Sequence, residues 1–140
     1  DGKPFPASLD RRHDLSLSLS YTPGKHWELS TVFVYASGGA YTATRDLYIA
    51  GGSFIRGHGS YNGARLPDYH RLDLSVTYWL RQQPWRSGIN LSIFNLYAHR
   101  NPLYISWPVL RYEETREYQI HPRRHYLYNI IPSVSWIFKF

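Results

Sequence analysis

The chain contains no cysteine and no methionine. Without cysteine there is no disulfide framework, no thiolate zinc site and no cysteine nucleophile. Without methionine, and with Asp1-Gly2-Lys3 at its start, the sequence is expected to be a processed product or one piece of a larger polypeptide, with no secretory signal in view. Long hydrophobic runs are missing too. Nowhere do about eighteen apolar residues follow one another, so any passage through a membrane has to be made by strands and not by a helix. Charge of one sign is not concentrated either. The formal net charge is +6, with arginine and histidine scattered among tyrosine and glycine instead of gathered in a stripe, which argues against a nucleic-acid surface.

What the sequence does have is aromatic residues. Thirteen Tyr, five Trp and six Phe stand among 140 residues, and a hydrophobic share of 43% is too high for a disordered chain. The length suits one domain. These residues are arranged with a period of two. In Pro132-Ser-Val-Ser-Trp-Ile-Phe-Lys-Phe140, Val134, Trp136, Phe138 and Phe140 fall on one face of a strand, and Ser133, Ser135, Ile137 and Lys139 on the other. The same dyad recurs along the chain in segments of about ten residues, which is the pattern of a transmembrane β-barrel wall.

Five strands are predicted. They cover residues 14–21, 27–37, 71–80, 87–97 and 130–140, the first alternating Leu15, Leu17, Leu19 and Tyr21 with Asp14, Ser16, Ser18 and Ser20. Thr22-Pro23-Gly24-Lys25 supplies a tight turn, with Pro fixing φ and Gly supplying φ > 0, and a second short turn is expected around Gln82-Gln83-Pro84. The other connections, 38–69 and 98–129, are long. Short turns alternating with long loops match the periplasmic and extracellular rims of an outer-membrane barrel. On that reading Trp27, Trp79, Trp85, Tyr21, Tyr78, Phe138 and Phe140 share one height and Tyr35, Tyr41, Tyr69 and Tyr97 the other, as two interfacial girdles. A water-soluble sandwich or lipocalin-like barrel alternates in the same way. Aromatics at both strand ends on the apolar face favour lipid outside. Five strands are too few to close where the smallest single-chain barrels have about eight, so further strands from other polypeptide, or from copies of the chain, are expected to complete the wall.

Four blocks carry a family resemblance: Asp10-Arg-Arg-His-Asp-Leu-Ser-Leu17, Asn62-Gly-Ala-Arg-Leu-Pro-Asp-Tyr-His-Arg-Leu-Asp-Leu74, Leu91-Ser-Ile-Phe-Asn-Leu-Tyr-Ala-His-Arg-Asn-Pro102 and Ile130-Ile-Pro-Ser-Val-Ser-Trp-Ile-Phe-Lys-Phe140. In order and over essentially the whole chain they resemble the C-terminal barrel end of TonB-dependent receptors, most closely the forms found in Bacteroidota. The resemblance implies an all-β, antiparallel transmembrane barrel of 22 strands plugged by an N-terminal domain, of which residues 1–140 would be the last five strands, without the plug. It implies the bacterial outer membrane as location and import of a scarce nutrient, such as an iron-siderophore, haem, cobalamin or a glycan, driven through TonB. The implied partners are the rest of the receptor, outer-membrane lipid, TonB acting on the missing N-terminal part, the barrel-assembly machinery and a surface lipoprotein. No cofactor is implied. Val134, Trp136, Phe138 and Phe140 fit the family's terminal assembly signal. The alternative is a structural or adhesive outer-membrane barrel without active transport.

Binding at an outer mouth needs aromatic surface and fixed polar donors. The first long connection offers Tyr41, Arg45, Tyr48, Phe54, Arg56, His58, Tyr61 and Asn62. The second offers Tyr104, Trp107, Arg111, Tyr112, Arg116, Arg123, Arg124 and His125. Arg with Tyr suits anionic or glycan ligands, by forked hydrogen bonds and ring stacking. The seven His residues show no metal-ligand spacing, since Pro122-Arg123-Arg124 interrupts His121 and His125. Glu113, Glu114 and Glu117 read as a charge-alternating hairpin tip instead of a catalytic pair, and Glu28 and Lys139 as solvated rim charges. No nucleophile elbow is visible, so no enzyme is expected.

Overall fold

The computed structural model describes residues 2, 4–8, 10–81, 83–111 and 118–140. Among these there is no helix, and the strands in chain order are β1 (Asp14–Tyr21), β2 (Trp27–Ala36), β3 (Ala40–Tyr41), β4 (Thr44–Ala50), β5 (Ser53–His58), β6 (Ala64–Arg65), β7 (Tyr69–Arg81), β8 (Arg86–Phe94), β9 (Pro102–Ser106), β10 (Val109–Arg111), β11 (Tyr118–Ile120), β12 (Arg123–Tyr126) and β13 (Ile131–Lys139). The protein is all-β and every pairing is antiparallel. The chain folds as two compact units: a sheet unit, residues 13–36, 69–101 and 128–140, and a loop unit, residues 1–12, 37–68 and 102–127.

The sheet unit is one five-stranded sheet in the order β1-β2-β7-β8-β13. Its register carries the dyad from strand to strand. Leu17 pairs with Phe33 and Phe33 with Leu72; Thr31 pairs with Leu74 and Leu74 with Ile93; Val76 pairs with Leu91 and Leu91 with Val134. Because directly paired residues point the same way, all these side chains share one face. That face is open: Leu19, Val134 and Trp136 are 68%, 72% and 60% exposed. The opposite face carries Ser16, Ser18, Ser30, Asp73, Ser75, Thr77, Asn90, Ser92, Ser133 and Ser135, interrupted by Val32, Val34 and Ile137.

The polar face bonds to itself. Asn90 Nδ2 donates to Ser75 Oγ at 2.6 Å and to Thr77 Oγ1 at 2.8 Å, the hydroxyls of Ser92 and Ser133 lie 2.7 Å apart, and Arg71 Nε donates to Asp73 Oδ2 at 3.0 Å. Trp79 belongs to this face as well, which corrects its place in the aromatic girdle. It is 1% exposed, its Nε1 donates to Glu28 Oε2 at 3.3 Å, and Arg86 Cζ and Lys139 Nζ lie 4.1 Å and 5.1 Å from its ring centroid. Glu28 and Lys139 are therefore engaged around an indole and are not simply solvated. Gly88 makes room for that ring, since a Cβ there would stand 2.9 Å from Trp79 Cε3. Tyr69 is likewise on the polar face, bonded through its hydroxyl to Arg71 Nη1 at 2.7 Å, and Tyr41 sits in the loop unit. What remains on the apolar face is a girdle at one end of the strands, with Trp27 and Tyr78 rings 4.8 Å apart, Trp85 and Phe138 5.9 Å, and Trp136 and Phe138 5.8 Å. Tyr35 and His70 pair at the other end.

Turn chemistry sets the strand limits. Gly24 takes φ +86° in the β1–β2 turn, the left-handed value that glycine tolerates at no cost. β8 stops at Phe94, three residues before the sequence pattern suggested, because Asn95 and Ala98 adopt φ of 55° and 54°. Asn95 is fully buried and acts as a staple: its N–H donates to Asp73 Oδ1 at 2.9 Å and its Nδ2 to the His99 and Asn129 carbonyls. Asn101 imitates a strand neighbour, accepting from the His70 N–H and donating to the His70 carbonyl, both at 2.9 Å.

The loop unit holds four small two-stranded sheets, β3 with β6, β4 with β5, β9 with β12 and β10 with β11. About half of each stretch expected as a long loop is thus extended and paired among the described residues. Arg65 ties three segments together, with Nη1 3.0 Å from both the Asp10 and Gly38 carbonyls and Nη2 2.8 Å from Asp10 Oδ2.

Candidate ligand-binding site

Two hairpins of the loop unit border a wide, open cleft of about 810 Å³ lined by Phe54, Ile55, Arg56, His58, Val109, Arg111 and Tyr118. Strand parity accounts for most of its walls, although Ile55, of the opposite parity, lines it too. Phe54, Arg56 and His58 are alternate residues of β5 and so point to one side, and Val109 and Arg111 are alternate residues of β10. Arg111 pairs with Tyr118 across β10 and β11, so these two side chains also share a face. The Phe54 and Tyr118 rings meet at 4.7 Å with their planes tilted by 60°, and Arg111 Cζ lies 6.0 Å from the Tyr118 ring centroid. The lining therefore combines two aromatic rings, two aliphatic side chains, two guanidinium groups and an imidazole, with no carboxylate among the described lining residues.

Of the residues proposed from sequence, Phe54, Arg56, His58 and Arg111 come together here. The others do not. Tyr41 pairs with Ala64 in the short β3–β6 ladder. Arg45 lines a separate small recess with Ala43, Gly59, Ser60, Gly63 and Ala64. Tyr48 lies opposite Ile55, on the far face of the β4–β5 hairpin from Phe54 and Arg56. Tyr61 packs edge-on against Phe5 at 4.8 Å. Asn62, with φ 49°, is buried and bonds the Pro6 carbonyl through Nδ2 at 2.8 Å, which makes it a turn anchor. Tyr104 stacks on His125 at 4.4 Å, and His125 Nε2 lies 2.8 Å from Ser106 Oγ, so both brace the β9–β12 ladder. Trp107 is half-buried between β9 and β10, while Arg123 and Arg124 are exposed on β12. Tyr112, Glu113, Glu114, Arg116, Glu117 and Gln82 lie outside the described residues. Ile55, Val109 and Tyr118 are the lining residues that sequence reasoning missed, and of these Tyr118 adds the second ring. The signal that could have found it is the hairpin closure Val109↔Ile120, which sets Tyr118 opposite Arg111.

In the sheet unit, Val134, Trp136 and Phe138 stand in the open on the apolar face of the edge strand β13, and Phe140 follows it, fully exposed. At the far end of β8, the Tyr97 hydroxyl lies 2.8 Å from His70 Nδ1. Burial, then the Asp73 carboxylate and Tyr69, raise the Tyr97 phenol pKa above its ordinary value. Among the described residues no three His, Asp or Glu side chains are grouped so as to hold a metal ion. No family model, no curated protein and no solved structure matches the chain.

Proposed function

We propose that the chain is the C-terminal barrel segment of an outer-membrane TonB-dependent receptor, and that it helps to bind and import a scarce nutrient. The observation that carries this reading is the face of the sheet formed by Leu17, Phe33, Leu72, Leu91 and Val134, which is apolar through all five strands, uncovered, and bordered at one end by Trp27, Tyr78, Trp136 and Phe138. A soluble protein rarely leaves so wide an apolar surface in water. Lipid accounts for it, and the aromatic border suits the headgroup region. The opposite face is polar and hydrogen-bonded within itself, as suits a lumen filled by water or by a plug. β1 and β13 are open edges, and an open edge in lipid costs several kcal/mol per unpaired backbone group, so the proposal requires further strands of the same receptor on both sides.

The test is the mass and location of the intact source protein. A chain far larger than 16.5 kDa, with a plug upstream and recovered from outer membranes, is the expected result. A mature chain near 16.5 kDa, or one recovered from the soluble fraction, overturns the receptor reading. A large outer-membrane chain without a plug would instead assign it to the structural or adhesive barrels.

A further inference from the structure

We infer that the cleft between the β4–β5 and β10–β11 hairpins binds an anionic ligand that carries a planar ring. The inference deepens the receptor reading and rests on it for the ligand's role as cargo; the binding chemistry itself stands on the cleft alone.

Three features point to this class of ligand. First, Arg56 and Arg111 line one cleft, and among the described residues neither is ion-paired. An anion seated in the cleft can take up their forked donors. His58 adds a third nitrogen-bearing group on the Arg56 face. Second, the Phe54 and Tyr118 rings, 4.7 Å apart and tilted by 60°, form an angled pair against which a flat ring can lie offset on one and edge-on to the other. Arg111, already over the Tyr118 ring at 6.0 Å, reaches both the ring pair and the charge. Third, the volume of about 810 Å³ lies in the upper half of the usual range for ligand pockets of roughly 300 to 1,000 Å³. A bare inorganic ion would leave most of that space unused. The recess at Arg45, by contrast, holds only about 40 Å³.

The experiment uses the intact source protein and three small probes in calorimetric titration. Benzene-1,3,5-tricarboxylate joins a planar ring to three negative charges, cyclohexane-1,3,5-tricarboxylate keeps the charges without the flat ring, and benzene-1,3,5-tricarboxamide keeps the ring without the charges. Binding of the first is expected, weakened about fivefold or more in the second and lost in the third. Arg56→Gln and Arg111→Gln should each weaken the first probe about tenfold, as loss of a charge-assisted bond predicts. Phe54→Leu should weaken it several-fold while leaving the cyclohexane probe nearly unchanged. Arg45→Gln, in the separate recess, is the control and should change nothing. Since Arg56 and Arg111 are exposed, these variants are expected to fold, which far-ultraviolet circular dichroism checks. An unchanged affinity in the Arg56→Gln/Arg111→Gln double variant overturns the inference, as does equal binding of the benzene and cyclohexane probes or no binding by folded wild-type protein. The two proposals fail separately: a soluble source protein that still binds the probe through both arginines sinks the receptor reading alone, and an outer-membrane receptor that ignores the probe sinks the cleft alone.

Discussion

The sheet unit and the loop unit are cut from the same sequence with the same taste for tyrosine, yet they are held together differently. In the sheet, each residue's surroundings follow from its parity and from a ladder that repeats over five strands. In the loop unit, the organising bonds join residues far apart in sequence, such as Arg65 to Asp10 and Asn62 to Pro6. Consequently a substitution in the sheet should act according to which face it is on, while one in the loop unit should act according to which distant segment it releases.

The sharpest break of that comparison is a charge placed on either face. Leu91, on the apolar face and 54% exposed between Val76 and Val134, is expected to lose about 2 to 4 kcal/mol as Leu91→Arg, the cost of a basic side chain near the lipid midplane. Ser18→Arg on the other face should cost less than 1 kcal/mol by the same rule. The measurement is the denaturant midpoint of the intact protein in lipid vesicles, and equal losses for the two variants would contradict lipid on the apolar side.

Gly38→Ala should have the next largest effect, and only in the loop unit. A Cβ at Gly38 would collide with the Leu66 carbonyl oxygen, a contact that only movement of the backbone can relieve, at about 1 to 3 kcal/mol. Limited proteolysis should then cut within residues 38–68 while the sheet strands stay protected. Cleavage spread evenly over both units would show that their stabilities are not separate.

The five sheet strands were legible because period-two alternation is written in consecutive residues, and the pairing register merely stacks it. Strand parity, already readable at Trp79 and Tyr69, put both on the polar face; what could not be read was that Gly88 opens a pocket for the Trp79 indole, or that Arg86 and Lys139 would cover it. The loop-unit strands were missed for another reason. They are short, and a bulge between Thr44 and Asp46, with glycines at Gly57 and Gly59, interrupts the alternation. The cleft was half legible: residue type picked out Phe54, Arg56, His58 and Arg111, but only the pairing of β10 with β11 brings in Tyr118, and only contacts with Phe5 and Pro6 take Tyr61 and Asn62 out of it.

Arg65→Gln measures how strongly distant contacts hold the loop unit. Its guanidinium spans Asp10 and Gly38 through three hydrogen bonds, and both it and Asp10 are part-exposed, so solvent screening limits the loss to about 1 kcal/mol. Hydrogen exchange should quicken at the Ala40 amide, which donates to the Asp10 carbonyl at 3.2 Å, and remain unchanged at Val76 in the sheet. Unchanged exchange at Ala40 would mean that Arg65 is not the tie the geometry suggests.

Phe140 should show the smallest change in stability and a large change in how the protein is made. Its side chain is fully exposed beyond the last strand, so Phe140→Ser removes little packing from the folded protein, and the denaturant midpoint should scarcely move. The receptor reading nevertheless gives this residue a role before folding is complete. An open strand edge offers main-chain hydrogen bonds for strand addition, and the side chains along one face supply selectivity; β13 is such an edge, with Val134, Trp136, Phe138 and then Phe140 projecting at alternate positions. Removing the last member should slow recognition by the assembly machinery while ligand affinity of the assembled molecules stays as in the wild type. Pulse-labelling with a heat-resistance readout separates the two roles. Slow conversion to the resistant form at a normal midpoint is expected. A normal conversion rate with a lowered midpoint would make Phe140 part of the aromatic border and nothing more, and Lys139→Ser, one residue away on the opposite face and in contact with Trp79, should show that second pattern.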